Sequence, residues 1–181
     1  MTDTINACDY VDASGGVRTI QMLGHSMKAI SLQKGGFATY RFNVEEAGNY
    51  LIRTALIPTH PYDDGDLRFS VSVDTQEPIT YSLKEPFRSE RWKLNVLSGQ
   101  AVRDTEAHLS KGSHTLTIRA LDDHIVLDQI ITSAADREIV TVAALSGLEG
   151  VDPQLAAYKR GAVNMGNSQK LVDALCDRLY Y

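Results

Sequence analysis

LRFSVSVD, from Leu67 to Asp74, is the clearest alternation in the chain. Leu67, Phe69, Val71 and Val73 fall on one side, and Arg68, Ser70 and Ser72 on the other. Side chains of a strand point alternately to its two faces, so this period of two predicts a half-buried strand. Upstream lies PTHPYDDGD, Pro58 to Asp66, whose two prolines, one glycine and three aspartates predict an irregular loop. Before it, YLIRTALI (Tyr50 to Ile57) is apolar on both faces, as an interior strand is. FATYRFNV (Phe37 to Val44) alternates again, with Ala38, Tyr40, Phe42 and Val44 on one face, and Glu45 to Asn49 turns it into the next strand as a hairpin. Downstream, Ile79 to Leu83, Trp92 to Leu97, Ala101 to Leu109, His114 to Leu121 and Ile125 to Ile131 read as further strands. Short strands at this spacing, divided by turns, predict a mainly β chain folded as a sandwich or barrel, read here as an antiparallel β-sandwich over Ile5 to Thr132.

The pattern changes after Thr132. Asp152-Pro153 reads as a helix start and Gly161 as the residue past its end, giving a short helix over Pro153 to Arg160. Asn167 or Ser168 caps a second helix, in which Leu171, Val172, Leu175 and Leu179 share a face. Glu138 to Ala144 is strand-like. Residues 133–181 are thus a partly helical C-terminal extension whose apolar stripe packs on the sandwich, on a partner domain or on another subunit.

At 43% apolar and 23% charged, with a net charge of -5 and no basic stripe, the chain offers nucleic acid no electrostatic footprint. No apolar run approaches the roughly 20 residues of a membrane span. The start, MTDTINACDY, has no apolar core of a signal peptide. Two placements follow: a cytosolic protein, or a piece of a secreted one that is periplasmic or extracellular. Cys8 and Cys176 are expected to be free thiols.

Catalytic motifs are missing. There is no G-x-S-x-G, no S-x-x-K and no phosphate-binding glycine loop. Ser26 follows His25 in LGHSM, and neighbours on a strand point to opposite faces, so no Ser–His relay is expected. His25, His60, His108, His114 and His124 form no H-x-H or H-x-x-x-H pair, so a zinc site has no local support. His60, Asp63, Asp64 and Asp66 are the richest polar cluster, readable as a solvated turn, as oxygen ligands for calcium or as paired catalytic carboxylates. Sugar rings stack their C–H faces on aromatic side chains while polar groups bind the hydroxyls. On that basis Tyr62, Trp92, Tyr81 and Phe87, with Arg68, Arg88 and Arg91 nearby, are candidates for carbohydrate contact. Trp92 reads equally as a core residue, and Tyr62, in a polar loop, is the better placed platform.

INACDYVDASGG and the hairpin AGNYLIRTA resemble the opening of the carbohydrate-binding modules of families 6 and 35. More of the chain resembles the C-terminal domain of glycoside hydrolase family 115, the xylan α-1,2-glucuronidases. LGHSMKAISL (Leu23 to Leu32), YRFNVEEAGNYLIRTALIPTHP (Tyr40 to Pro61), LRFSVSVD, RSERWKLNVL (Arg88 to Leu97) and KGSHTLTIRALDDHIVLDQII (Lys111 to Ile131) carry the resemblance. It implies a galactose-binding-domain-like jelly roll with no catalytic residue and no cofactor. The family's catalytic machinery, which removes 4-O-methyl-glucuronic acid branches from xylan, lies in preceding domains. The partners implied are the other domains of such a parent, a xylan-type oligosaccharide and a second copy of the chain. A stand-alone carbohydrate-binding module and a ligand-free structural or dimerisation domain are the alternatives. The related modules hold a structural calcium with first-strand acids and a late Asp. Here Asn6 and Cys8 stand in the first strand and only Asp128 fits, so no calcium is expected. The proline-rich ending usual in the family is absent from 133–181.

Overall fold

Two antiparallel sheets form because eleven segments alternate or run apolar at the period of two, and turns separate them. In the computed structural model, residues 2–61 and 64–134 are described, together with Ala156, Lys159, Arg160, Val163, Val172 and Asp173. The strands are β1 (Thr2–Asn6), β2 (Asp12–Ala13), β3 (Arg18–Gln21), β4 (Lys28–Leu32), β5 (Phe37–Val44), β6 (Gly48–Leu56), β7 (Arg68–Val73), β8 (Ile79–Ser82), β9 (Ala101–Leu109), β10 (Gly112–Ala120) and β11 (Ile125–Ala134). One sheet runs β3-β4-β11-β6-β9, with β1 also on β11, and the other runs β2-β5-β10-β7-β8. The jelly-roll β-sandwich expected from the sequence is the fold observed.

The core lies between the sheets. Ala38, Tyr40, Phe42 and Val44 of β5 and Phe69, Val71 and Val73 of β7 are all buried, as their alternation requires. Ile30, Ile52, Leu56, Ile125, Leu127 and Ile130 oppose them from the larger sheet. Each such side chain contributes about 1.5–3 kcal/mol by leaving water. Tyr40 takes its hydroxyl inside because it can donate to the Ala7 carbonyl, 2.7 Å away. Ser70, expected to face solvent, is 93% buried: its relative exposure is 7%, because β7 lies inside its sheet between β10 and β8.

Trp92 to Leu97, read as a strand, is instead the middle of helix α1 (Glu90–Ser98). W-x-L-x-V imitates strand alternation, but the ends of the segment decide. The Ser89 hydroxyl accepts the Trp92 N–H at 3.2 Å, and Gly99 closes the helix in the left-handed region, φ 68°, donating to the Val96 carbonyl. Leu23 to Met27, treated as part of a strand, is the loop joining β3 to β4. Ser26 Oγ donates to Asp128 and makes no bond to the His25 ring. Of the C-terminal extension, Ala156, Lys159 and Arg160 are helical as expected, and so are Val163, two residues past Gly161, and Val172 and Asp173; Val172 is fully buried. The rest of it, including the strand-like 138–144, Leu171, Leu175, Leu179 and Cys176, lies outside the described residues. Cys8 is a free, half-buried thiol.

A pH-sensitive joint sits at the start of β10. Buried His114 holds Asp74 Oδ2 on Nδ1 at 2.7 Å and the Ser110 carbonyl on Nε2 at 2.8 Å, with Phe42 against the ring. Two acceptors require both nitrogens to carry protons, so the native ring favours the imidazolium. The bond to Asp74, then that to Ser110, raises the His114 pKa. Burial acts against Asp74, but the Thr115 N–H and His114 outweigh it and lower its pKa. A raised histidine contributes stability that is full below its unfolded value, about 6.5, and is lost as pH rises through the folded value. A lowered Asp contributes above about 3.9 and is lost as pH falls through its folded value. Melting temperature is therefore expected to be highest between about pH 4 and 6.5 and to decline above it. Thermal melts of His114→Gln should lack that alkaline decline; an unchanged decline would assign it to other groups.

Candidate functional site

The loops after β6 and β8, with α1, enclose a cleft of about 590 Å³ at one end of the sandwich. Buried Leu67, Leu83 and Ala101 line it, with Pro58, Pro61, Phe87 and Val96 as further apolar surface. Trp92 and Phe87 meet edge to face there, ring centroids 5.1 Å apart at 67°. His60, Asp66, Lys84, Glu85 and Asn95 supply its polar groups. This mixture, an apolar floor with aromatic edges and a few polar groups, is what small-molecule sites present.

Most of the polar groups are fixed by the fold. Asp66 accepts from the Ser82 hydroxyl at 2.5 Å and from the Leu67 N–H at 2.7 Å, which ties β7 to β8. The Ser82 bond, against some burial, holds the Asp66 carboxyl below the usual carboxylate range. Lys84 Nζ donates to the Asp64 and Gly65 carbonyls at 3.2 and 2.8 Å and so clasps the loop. Glu85 is gripped by Arg103 at 2.8 Å and approached by Arg91 at 3.5 Å. The Thr59 hydroxyl donates to the His124 carbonyl at 2.8 Å, and His124 Nδ1 lies 3.0 Å from the His60 carbonyl. The His60 ring and the Asn95 amide make no side-chain hydrogen bond among the described residues, so both have donors and acceptors to offer.

α1 presents two faces. Trp92 and Val96, four residues apart, turn to the cleft with Asn95. Leu94 and Leu97 point the other way, 65% and 85% exposed. The helix has no buried residue.

Of the residues picked out from sequence, His60, Asp66, Phe87 and Trp92 line this cleft. Arg88 sits at its edge, its guanidinium carbon 5.2 Å above the Phe87 ring. Arg68 is elsewhere, paired through two nitrogens with Asp122 at 2.8 and 3.0 Å. Asp64 lies in an exposed turn and meets Lys84 through its carbonyl. Tyr81 is turned inward, its hydroxyl 2.9 Å from Thr105 Oγ1 and its ring against Phe69. Tyr62 and Asp63 lie outside the described residues. Glu85, Lys84 and Asn95 carry no motif and were not picked out; the helix signals at Ser89 and Gly99 would have placed Asn95 beside Trp92.

Asp128 lies behind this region and is fully buried. β11 pairs with β4 up to Leu127 and with β1 from Gln129, and its register on β6 shifts between those residues. A bulge at such a seam re-aims a side chain. The carboxylate accepts the His25 N–H (2.9 Å), the Ser26 N–H (3.0 Å), the Ser26 hydroxyl (2.7 Å) and Gln100 Nε2 (2.8 Å). Burial pushes its pKa up, but Gln100, Ser26 and the loop N–H groups prevail and lower it. A calcium ion does not fit here: three N–H groups and an O–H already point at the two oxygens, where a cation needs oxygen lone pairs. Asn6 Nδ2 and Cys8 Sγ are turned to Asp9 instead. No group of three or more His, Cys, Asp or Glu able to hold a metal occurs among the described residues.

Comparison with known proteins fits this architecture. A solved family GH115 4-O-methyl-α-glucuronidase, BtGH115A, with specificity for decorated arabinogalactans, is 33% identical with a TM-score of 0.68; the match covers 73% of this chain and 17% of that one. The C-terminal family 6 carbohydrate-binding module of LamC, a marine laminarinase from Zobellia galactanivorans, shares the fold at TM-score 0.54 and 16% identity, over 74% of this chain and 99% of that one. A family 35 carbohydrate-binding module from Clostridium thermocellum does so at 0.56 and 13%, over 73% and 98%. No curated protein matches the chain significantly. Residues 9–138 match the model of the glycosyl hydrolase family 115 C-terminal domain, an accessory rather than a catalytic unit, and the chain belongs to that family.

Proposed function

We propose that the domain serves a family 115-type glycosidase as a non-catalytic module that holds glycan in the cleft walled by Trp92 and Phe87. The observation that carries this reading is that aromatic pair, beside a His60 ring and an Asn95 amide that make no side-chain hydrogen bond among the described residues. A sugar ring laid against the indole covers its C–H face, and its hydroxyls reach His60 and Asn95. The glycans of choice are xylan side chains and decorated arabinogalactans, the latter from the specificity carried by BtGH115A. A second reading, packing against other domains of a parent enzyme, is favoured by the exposed Leu94 and Leu97 on the far face of α1. The domain covers only 17% of BtGH115A, so such a parent has ample surface to meet it.

Trp92 is the only tryptophan, so its fluorescence reports on the cleft without interference. Titration with glucuronoxylan and arabinogalactan oligosaccharides is expected to change that emission saturably. Trp92→Ala, followed by calorimetry, is expected to weaken binding about tenfold or more, the loss of a stacking contact of about 1.5 kcal/mol. A folded protein that binds none of these glycans at millimolar concentration would leave the packing reading in place.

A further inference from the structure

A second depression, of about 420 Å³, adjoins the aromatic cleft and shares Pro58 and Val96 with it. Leu23 and Ile57 supply further apolar surface, and Gly24, His25 and Gly99 complete its lining. Both volumes lie in the range of ligand sites. The small depression is held from behind by Asp128. That one carboxylate accepts the backbone of His25 and Ser26 on one bank and the side chain of Gln100, next after the α1 cap, on the other. The banks are therefore set at a fixed separation by a buried group. His25 projects its ring over this anchor, with Nδ1 3.5 Å from Asp128 Oδ2 and the side chain 55% exposed. With Nδ1 turned to the carboxylate, Nε2 is left for an outside partner, and a sugar hydroxyl, as donor or acceptor, suits it in either protonation state. The fold uses His25 through its main chain and leaves its ring to the surface.

We infer that the two depressions are adjacent subsites for one glycan of two or more rings, with His25 binding the second ring. The first ring lies against Trp92 and Phe87. The second covers Leu23 and Ile57 with a C–H face and places a hydroxyl on His25 Nε2. This rests on reading the aromatic cleft as a sugar site.

The test compares the wild-type chain with His25→Ala by calorimetry. The ligands are xylose, galactose and glucuronic acid, and xylan- and arabinogalactan-derived oligosaccharides of two to four rings. Because Asp128 holds the His25 main chain, thermal melts of the two proteins should coincide. Wild type is expected to bind the oligosaccharides more tightly than the single sugars. His25→Ala should bind the oligosaccharides about tenfold more weakly, the loss of one hydrogen bond. Single sugars should be unaffected. Equal affinities of both proteins for every oligosaccharide overturn the second subsite and leave the aromatic cleft standing. Binding of no glycan by either protein removes both readings.

Discussion

Asp128→Ala is expected to unfold at roughly 15 °C lower temperature than wild type, a loss of about 4 kcal/mol in a domain of this size. The carboxylate is fully buried and accepts four hydrogen bonds from three residues. Alanine would leave those donors facing a cavity, and a buried donor without an acceptor costs about 1–3 kcal/mol. Water entering the gap would recover part of that. Asp128→Asn separates charge from shape. It keeps the volume but turns one acceptor into an amide that faces donors, and about half the loss is expected. Acid provides a further check. A carboxylate with a lowered folded pKa contributes stability above its unfolded value, about 3.9, and loses it as pH falls through the folded value. The stability gap between wild type and Asp128→Asn in urea unfolding should be full near neutrality and close on acidification below about pH 4. A gap that stays constant with pH would mean the charge is not what the four donors serve.

Gly24→Ala carries the second large effect, and it acts on the same anchor. A methyl at this position would stand 2.2 Å from Asp128 Oδ1 and 2.5 Å from its Cγ, far inside van der Waals contact. The residue also has φ +76°, where an L side chain costs about 1–2 kcal/mol. Neither side can yield cheaply, since the carboxylate is held by its donors and the loop by the carboxylate. A loss of about 3 kcal/mol or more is expected. The two parts can be separated by a double-mutant cycle. In the Asp128→Ala background the overlap is gone and only the backbone term remains, so Gly24→Ala should cost about 1–2 kcal/mol there. Strict additivity of the two substitutions would show that the loop does not rest on Asp128.

These expectations also show which parts of the fold were readable from sequence. FATYRFNV and AVRDTEAHL became β5 and β9 with the limits read from their pattern, because alternation is a local property of side chains. RWKLNVL misled for the same reason: tryptophan, leucine and valine recur every second residue, yet Ser89 and Gly99 satisfy the helix ends and α1 wins. The β3–β4 loop hid its purpose because its contribution to Asp128 is mostly backbone N–H, which residue types do not reveal. VLDQI suggested a calcium carboxylate, and the structure gives that carboxylate to hydrogen-bond donors. The cleft was half legible. His60 and Trp92 stood out as chemical types, but their meeting depends on four segments, 58–61, 66–67, 82–87 and 92–101, folding around the same end of the sandwich. Sequence proximity favoured Arg68, which the fold spends on Asp122.

The cleft also explains how an accessory unit could matter to an enzyme whose chemistry lies elsewhere. Its walls are tied down by Lys84, Ser82 and Arg103, so a glycan would meet a surface already in shape and little ordering would be needed on binding. α1 would face glycan with Trp92 and Val96 and leave Leu94 and Leu97 for a neighbouring domain, which allows both roles on one helix.

The most direct test is an amide and indole proton–nitrogen correlation spectrum of the isotope-labelled chain during titration with xylan- and arabinogalactan-derived oligosaccharides. The single indole N–H of Trp92 gives one separate signal. This signal is expected to shift saturably, together with amides of the non-proline residues among 57–61, 83–87 and 92–100 and, for ligands of two or more rings, of 23–26. Binding that shifts residues of the outer strand faces while the indole and these segments stay still would contradict that expectation.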